Sequence, residues 1–287
     1  MGDYRIFLDL SADIDIEFAK ENNIGFIPMN YSIDDKEYLS EEFLTDEEMT
    51  NFYSMMEKGS ITKTSQITPF QYQSFLEEYA KKGVNILYFT LSSGLSNTYN
   101  SALIAKDELQ DSYPNFKLEV VDSLAATGGI GVLASIAVKN LKDGMTIEEN
   151  ASIMREATKK VKHWFYVDDL SYLKRGGRVS ASTAFVANTL NIKPILRIDE
   201  KGALETIAKK IGTKKSQSYL LEKFFETYDS SYKTVYINHA ACIENALYIK
   251  EKILERDNTL NVVIRSLCPI IGAHTGPNML AICHMGK

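Results

Sequence analysis

In Leu87-Tyr88-Phe89-Thr90-Leu91-Ser92-Ser93-Gly94-Leu95-Ser96-Asn97-Thr98-Tyr99-Asn100-Ser101-Ala102 an apolar, β-prone run turns at Ser92-Ser93-Gly94 and gives way to a helical pattern starting near Ser96. A strand end that feeds a helix is where an open parallel sheet places its ligands. The helix start offers unpaired backbone N–H groups and the positive end of a dipole, which suits an anion. Ser92, Ser93 and Ser96 add neutral hydroxyl donors with no cation nearby in sequence, a setting for a small charged head group such as a carboxylate. The plainer alternative is that Ser96 caps a helix after an ordinary βα turn. Taken alone, the stretch favours this alternative.

Toward the N-terminus, residues 5–10 read as a buried strand, with Ser11-Ala12-Asp13 capping a helix over 14–22 and a second strand over 24–29. An acidic segment over 32–48 leads into a helix over 45–58, and 62–69 reads as a polar loop before a helix with Pro69 in its first turn. Toward the C-terminus a fourth strand over 117–122 precedes a helix over 126–140. This alternation predicts a parallel sheet with helices on both faces, a three-layer α/β/α arrangement.

The second half differs. Thr146 with Glu149 three residues on is a capping box opening an amphipathic helix. A strand starts at His163, and Leu173-Lys174-Arg175-Gly176-Gly177-Arg178-Val179 is a basic, glycine-broken turn. Two strands over 192–198 and 204–208, joined by Asp199-Glu200-Lys201-Gly202, carry hairpin chemistry absent from the first half. Further helices over 214–228 and 243–255 alternate with strands over 233–238, 261–267 and 279–284. The expected architecture is α/β in two closely packed domains: 1–160, Rossmann-like with a parallel sheet, and 161–287, with a mixed sheet.

With 45% apolar and 24% charged residues, the composition of the 287-residue chain is that of a globular protein, and its net charge of −6 argues against nucleic acid or anionic membrane as a habitual partner. Three widely spaced cysteines, Cys242, Cys268 and Cys283, fit a reducing cytosol and show no zinc-site spacing. The start, Met1-Gly2-Asp3-Tyr4-Arg5-Ile6, lacks the regions of a signal peptide, and the apolar run 130–138 is too short to span a bilayer. A cytoplasmic protein with no stable membrane insertion and no bound metal or cofactor is expected.

Gly129-x-Gly131-x-x-Ala134 matches a relaxed dinucleotide fingerprint and raises an NAD(P)-dependent Rossmann oxidoreductase as an alternative. In such a site the glycines follow the strand at once, whereas residues 122–128 intervene here and no acidic residue ends a next strand about 20 positions on. Tight helix packing is the favoured reading. Gly94-Leu95-Ser96 begins a nucleophile elbow, but Thr98 stands where its second glycine belongs. Neither a P-loop nor H-E-x-x-H is present. Of the four histidines, His163 and His239 fall in expected strands and read as structural, and His284 reads as exposed. His274 sits in Ile271-Gly272-Ala273-His274-Thr275-Gly276-Pro277-Asn278, a shaped loop of the kind that carries binding residues. The clusters Lys174, Arg175, Arg178 and Lys209, Lys210, Lys214, Lys215 are either solvated faces or a patch for an acidic partner or a phosphate.

Taken together, Asp9-Leu10-Ser11-Ala12-Asp13, Thr64-Ser65-Gln66, Leu91-Ser92-Ser93-Gly94-Leu95-Ser96-Asn97-Thr98-Tyr99, Val121-Asp122-Ser123, Tyr172-Leu173-Lys174-Arg175-Gly176-Gly177-Arg178, Lys193-Pro194-Ile195-Leu196 and Gly272-Ala273-His274-Thr275-Gly276-Pro277 resemble the DegV family, and within it the fatty-acid-binding FakB proteins. These segments span nearly the whole chain in the family's order. The resemblance implies two α/β domains with a long-chain fatty acid of the palmitate, stearate or oleate class buried between them. It implies a non-catalytic carrier, without its own ATP site, that presents the acid to a separate fatty acid kinase. It places the carboxylate on Thr64, Ser93 and His274, with Ser65, Ser92 and Gly94 beside them, and the kinase-docking face at Arg175, Arg178, Lys209 and Lys210. A regulatory interaction protein without lipid is a further alternative. Burying about sixteen methylenes at ~0.8 kcal/mol each supplies roughly 13 kcal/mol before ordering costs. The carboxylate is the costly end and needs several donors.

Overall fold

The structure, a computed structural model, describes residues 4–179 and 191–287; residues 1–3, part of the N-terminal reading, lie outside them. The chain opens with β1 (Tyr4–Asp9), α1 (Ile16–Glu21) and β2 (Gly25–Ile27), and continues into a hairpin of β3 (Met29–Ile33) and β4 (Lys36–Ser40). Next come α2 (Asp46–Glu57), β5 (Thr62–Ser65), α3 (Pro69–Lys81), β6 (Asn85–Thr90), α4 (Thr98–Ser112), β7 (Leu118–Asp122), α5 (Gly128–Lys142) and α6 (Ile147–Ala157). The remainder is β8 (Val161–Tyr166), α7 (Ser171–Arg175), β9 (Ile192–Ile198), β10 (Leu204–Ile211), α8 (Thr213–Thr227), β11 (Thr234–His239), α9 (Ile243–Leu254), β12 (Asn261–Ser266), α10 (Pro269–Thr275) and β13 (Leu280–Met285).

Among the described residues three sheets form. The first, all parallel, runs β2-β1-β6-β7, the four strands expected from apolar runs in the first half. The largest runs β10-β9-β8-β13-β11-β12 and is mixed, with only β11 and β12 parallel. The third, β4-β3-β5, is a small antiparallel sheet that corrects the sequence reading. Thr62-Lys63-Thr64-Ser65 has no apolar alternation and reads as loop, yet it pairs with β3, Tyr31 lying opposite Thr64. Tertiary pairing supplies what local propensity withholds.

Helix starts follow their caps. Thr45 with Glu48, Thr68 with Gln71 and Thr146 with Glu149 each form a capping box. Asp15, rather than the Ser11–Asp13 group, caps α1 by accepting the Glu17 N–H at 3.0 Å. At the start of α4 the N-cap residue Asn97 makes no side-chain cap, while the Ser96 hydroxyl accepts the N–H of Thr98 at 3.3 Å.

One apolar cluster joins the parallel sheet (Phe7, Leu8, Leu87, Phe89) to one face of the mixed sheet (Val161, Phe165, Leu196, Ala281). The other face of that sheet buries Trp164, Tyr166, Ile195 and Ile282 under α8 and α9. Strand alternation therefore turns His163 and Phe165 inward, toward the parallel sheet. The glycines of the suspected fingerprint serve this contact: a Cβ at Gly128 would lie 2.2 Å from Tyr236, at Gly129 2.0 Å from the His163 Nε2, and at Gly131 2.7 Å from Tyr236. They let α5 lie directly on the mixed sheet. No helix among the described residues is long and apolar enough to cross a membrane.

Candidate functional site

A cavity with about 750 Å³ of empty space, part of it open to solvent, is lined by strand residues of the mixed sheet and of the small β4-β3-β5 sheet, by the loop after β6 and by α10. Met29, Leu91, Leu95, Phe165, Ile198 and Ile271 make much of its wall apolar.

A chain of hydrogen bonds and close contacts joins its polar rim. The Thr64 hydroxyl and His274 Nε2 are 2.7 Å apart. Gly176 lies against the same imidazole, since a Cβ there would sit 2.2 Å from Nδ1. Arg178 donates from Nη1 to the Gly176 carbonyl (2.5 Å) and from Nε to the Leu95 carbonyl (3.1 Å), and Ser96 follows Leu95 on the wall. Ser65 and Gln66 extend the rim beside Thr64.

Each member is held by distant sequence. β5 carries Thr64, and the Thr62 hydroxyl bonds the Ala273 carbonyl at 3.3 Å, tying that strand to α10 beneath His274. The buried carboxylate of Asp13 accepts the N–H of Cys268, the residue preceding α10, at 2.8 Å. Gly272 lets α10 approach Tyr53, whose hydroxyl a Cβ would meet at 2.4 Å. At the end of β1, buried Asp9 accepts the Tyr88 hydroxyl and, at 2.6 Å, the Leu91 N–H, fixing where β6 gives way to the loop. Burial pushes the Asp9 and Asp13 carboxyl pKa values up to about 7, despite these hydrogen bonds.

Burial pushes His274 down to about 4, with Arg178 and then Arg175 adding to the shift, so its ring is neutral at physiological pH. Among the described residues its Nδ1 has no hydrogen-bond partner. Arg178 is half-buried and its pKa is also lowered by burial. A neutral imidazole, hydroxyls and a partly desolvated guanidinium at the rim of an apolar cavity form a donor set for a carboxylate.

His163 and His284 are likewise held near 4 by burial. The unfolded chain takes up these protons near pH ~6.5, the folded one only near 4, so this stability is present above 6.5 and lost as pH falls through the interval. Histidine NMR resonances of the folded protein should therefore keep neutral-imidazole positions from pH 7.5 down to about 5. A midpoint near 6.5 for any of the three would contradict this burial.

The expected site residues part company here. Thr64, Ser65 and His274 lie on the cavity, while Ser92, Ser93 and Gly94 are not among its lining residues. The Ser92 hydroxyl donates to the Gly202 carbonyl (2.7 Å) and accepts the Gly94 N–H (3.2 Å), locking the loop to the β9–β10 turn. Ser93 is exposed, its N–H on Asp122 at 3.0 Å. Ser96, read first as a cap, does accept the N–H of Thr98, the first residue of α4, at 3.3 Å, and it also lies on the wall. Arg178, expected on a docking face, turns inward; Arg175 stays exposed, stacked 5.0 Å over Tyr172, and Lys210 lies 4.2 Å over Tyr219. Lys209 is also exposed, on β10. His274 is on a short helix rather than a loop, and His284, expected exposed, is buried with both ring nitrogens bonded. His163, read as a satisfied core residue, lines the cavity.

Comparison with known proteins agrees with this architecture. A DegV domain-containing protein of Clostridium perfringens (strain 13 / Type A) is 37% identical over 289 residues, covering 100% of this chain and 98% of that protein. Among solved structures, a DegV lipid-binding protein from Thermotoga maritima is similar with a TM-score of 0.85 at 29% identity, covering 99% of this chain and 98% of that one. DegV from Bacillus subtilis, described as a fatty acid binding protein, is similar with a TM-score of 0.84 at 27% identity, covering 99% of each chain. The sequence profile of the DegV family, described as uncharacterised proteins, matches residues 3–287. With a parallel and a mixed sheet in one fold, and that match along nearly its whole length, this chain belongs to the DegV family.

Proposed function

We propose that this protein binds one long-chain fatty acid, its tail in the cavity between the sheets and its carboxylate among Thr64, His274, Ser96 and Arg178. The observation that carries the reading is an apolar cavity whose rim gathers an Arg, a neutral His and two hydroxyls through one connected set of contacts. The lipid-binding and fatty-acid-binding relatives support it. Burial of the tail supplies the affinity at ~0.8 kcal/mol per methylene, and the rim donors offset the desolvation of the carboxylate. On this reading the chain is a two-domain carrier, divided near residue 160, that performs no chemistry itself. It works in the cytoplasm and presents the carboxylate to a separate fatty acid kinase. Native mass spectrometry of gently purified protein tests the binding: a bound mass in the palmitate–stearate–oleate class is expected. A protein that is empty and also refuses added acid would overturn it.

For the kinase, the exposed cations Arg175 and Lys209, together with Lys210, form the proposed docking face on an acidic chain. Exposed charges act over a Debye length of about 8 Å at physiological ionic strength, so their main effect is on association rate. Arg175→Glu and Lys209→Glu proteins, preloaded with fatty acid, should be phosphorylated several-fold more slowly at low salt than wild type, with unchanged lipid affinity. Wild-type rates at low and high salt would mark the patch as ordinary solvated surface.

A further inference from the structure

α7 (Ser171–Arg175) stands between the head-group rim and the protein surface. Five residues are too few to hold a helix by themselves, so its placement follows from what its faces touch. Leu173 is buried and lines the cavity. On the side toward α10 two glycines permit close approach. A Cβ at Gly276 would lie 2.4 Å from the Tyr172 ring, and one at Gly176 2.2 Å from the His274 imidazole. The turn that ends the helix closes through the Gly176 N–H on the Tyr172 carbonyl (3.0 Å) and the Arg178 N–H on the Leu173 carbonyl (3.0 Å). The Arg178 side chain then reaches back to the Gly176 carbonyl and across to that of Leu95. On the outer side Arg175 is exposed and stacked over the Tyr172 ring. One short helix and its closing turn therefore touch His274, supply Arg178 and present a cation of the docking face.

We propose that α7 carries the loaded state of the cavity to the docking face, so that the kinase engages the acid-loaded protein in preference to the empty one. The inference deepens the carrier reading and rests on it. A carboxylate paired with Arg178 restrains the guanidinium, and through the Gly176 carbonyl it restrains the turn that closes α7. A carboxylate on His274 fixes the imidazole against which the same Gly176 is seated. A five-residue helix closed by a glycine at positive φ, Gly177 (72°), belongs to the low-stability end of local structure, where an added restraint has most effect. Holding the turn holds the Tyr172 ring, and the ring sets where Arg175 points. Coupling of this kind is reciprocal: the factor by which acid tightens kinase binding equals the factor by which kinase tightens acid binding. A carrier that reports its load in this way keeps empty protein from occupying the kinase.

Two measurements on wild type test it. The first leaves the kinase out, because a kinase also meets the carboxylate directly. Amide hydrogen exchange over residues 174–178 is followed in empty protein, with octadecanoic acid and with octadecanol. The acid should slow exchange of the Gly176 and Arg178 amides about fivefold or more, the lower end of coupling between sites. The alcohol, which fills the tail cavity without a charge, should leave it unchanged. The second measurement titrates a fatty acid kinase that phosphorylates the bound acid, with ATP withheld, onto empty and acid-loaded protein. The loaded form should bind about fivefold more tightly or better, and the kinase should tighten acid binding by the same factor. Tyr172→Ala protein, saturated with acid, should lose most of that preference; full retention overturns the assignment to α7. Unchanged exchange on adding acid, or equal slowing by acid and alcohol, overturns the inference and leaves fatty-acid binding standing, with no variant required. Equal kinase affinity for the two wild-type forms overturns it as well. Failure of wild type to bind the acid, or of any kinase to phosphorylate it, removes the carrier reading and the inference with it.

Discussion

Arg178→Met protein is expected to bind a long-chain carboxylate roughly 10- to 150-fold more weakly than wild type, the consequence of losing a charged partner worth about 1.5–3 kcal/mol. The expectation comes from the position of the guanidinium. It is half-buried at the cavity rim and is held there by the carbonyls of Leu95 and Gly176 at 3.1 and 2.5 Å. In that setting an incoming carboxylate meets a cation that water screens only partly. Those same bonds also brace the turn, so a simple loss of affinity would not separate a ligand from a prop. A fatty alcohol of equal length does separate them: its affinity should be the same in both proteins, because the tail cavity is intact and no charge is recognised. Equal weakening of acid and alcohol would show that Arg178 acts only through the turn.

Ala281→Phe should lower affinity for an octadecanoic chain by about 100-fold or more. Ala281 is buried on β13 opposite Phe165, and both line the cavity. A phenyl group in that lumen excludes several methylenes from the protein interior, and four of them at ~0.8 kcal/mol each already account for that factor. A much shorter acid that stays near the rim should lose little. The larger side chain should also cost roughly 1–3 kcal/mol of stability, because Ala281 is part of the packed cluster with Phe165, so retained binding of the short acid is the control for a folded protein. Unchanged affinity for the long chain would place the tail elsewhere.

Much of this molecule is written in local sequence. The four strands of the parallel sheet appear as apolar runs, the capping boxes at Thr146 and elsewhere mark helix starts, and Asp199-Glu200-Lys201-Gly202 announces the β9–β10 hairpin. Such features act over a few residues, so the sequence displays them directly. Thr64 and His274 are legible as candidate residues, but their 2.7 Å contact spans 210 positions and depends on β5 pairing with β3 while α10 docks beside it.

Three serines within five residues, Ser92, Ser93 and Ser96, are equivalent on paper. The tertiary structure separates them: one hydroxyl is taken by the β9–β10 turn, one residue faces solvent, and one remains on the cavity wall. Arg178 reads as one cation in a basic run until the turn folds it against Leu95. His163 reads as a core histidine until strand alternation and the bare α-carbon of Gly129 set it on the cavity. By itself the sequence determined the parallel-sheet strands, most of the other elements outside the β4-β3-β5 sheet, and a short roster of polar residues able to hold an anion. The tertiary structure alone decided which of those residues share the cavity, because that depends on strand register and on contacts between segments more than a hundred residues apart, which no local pattern records.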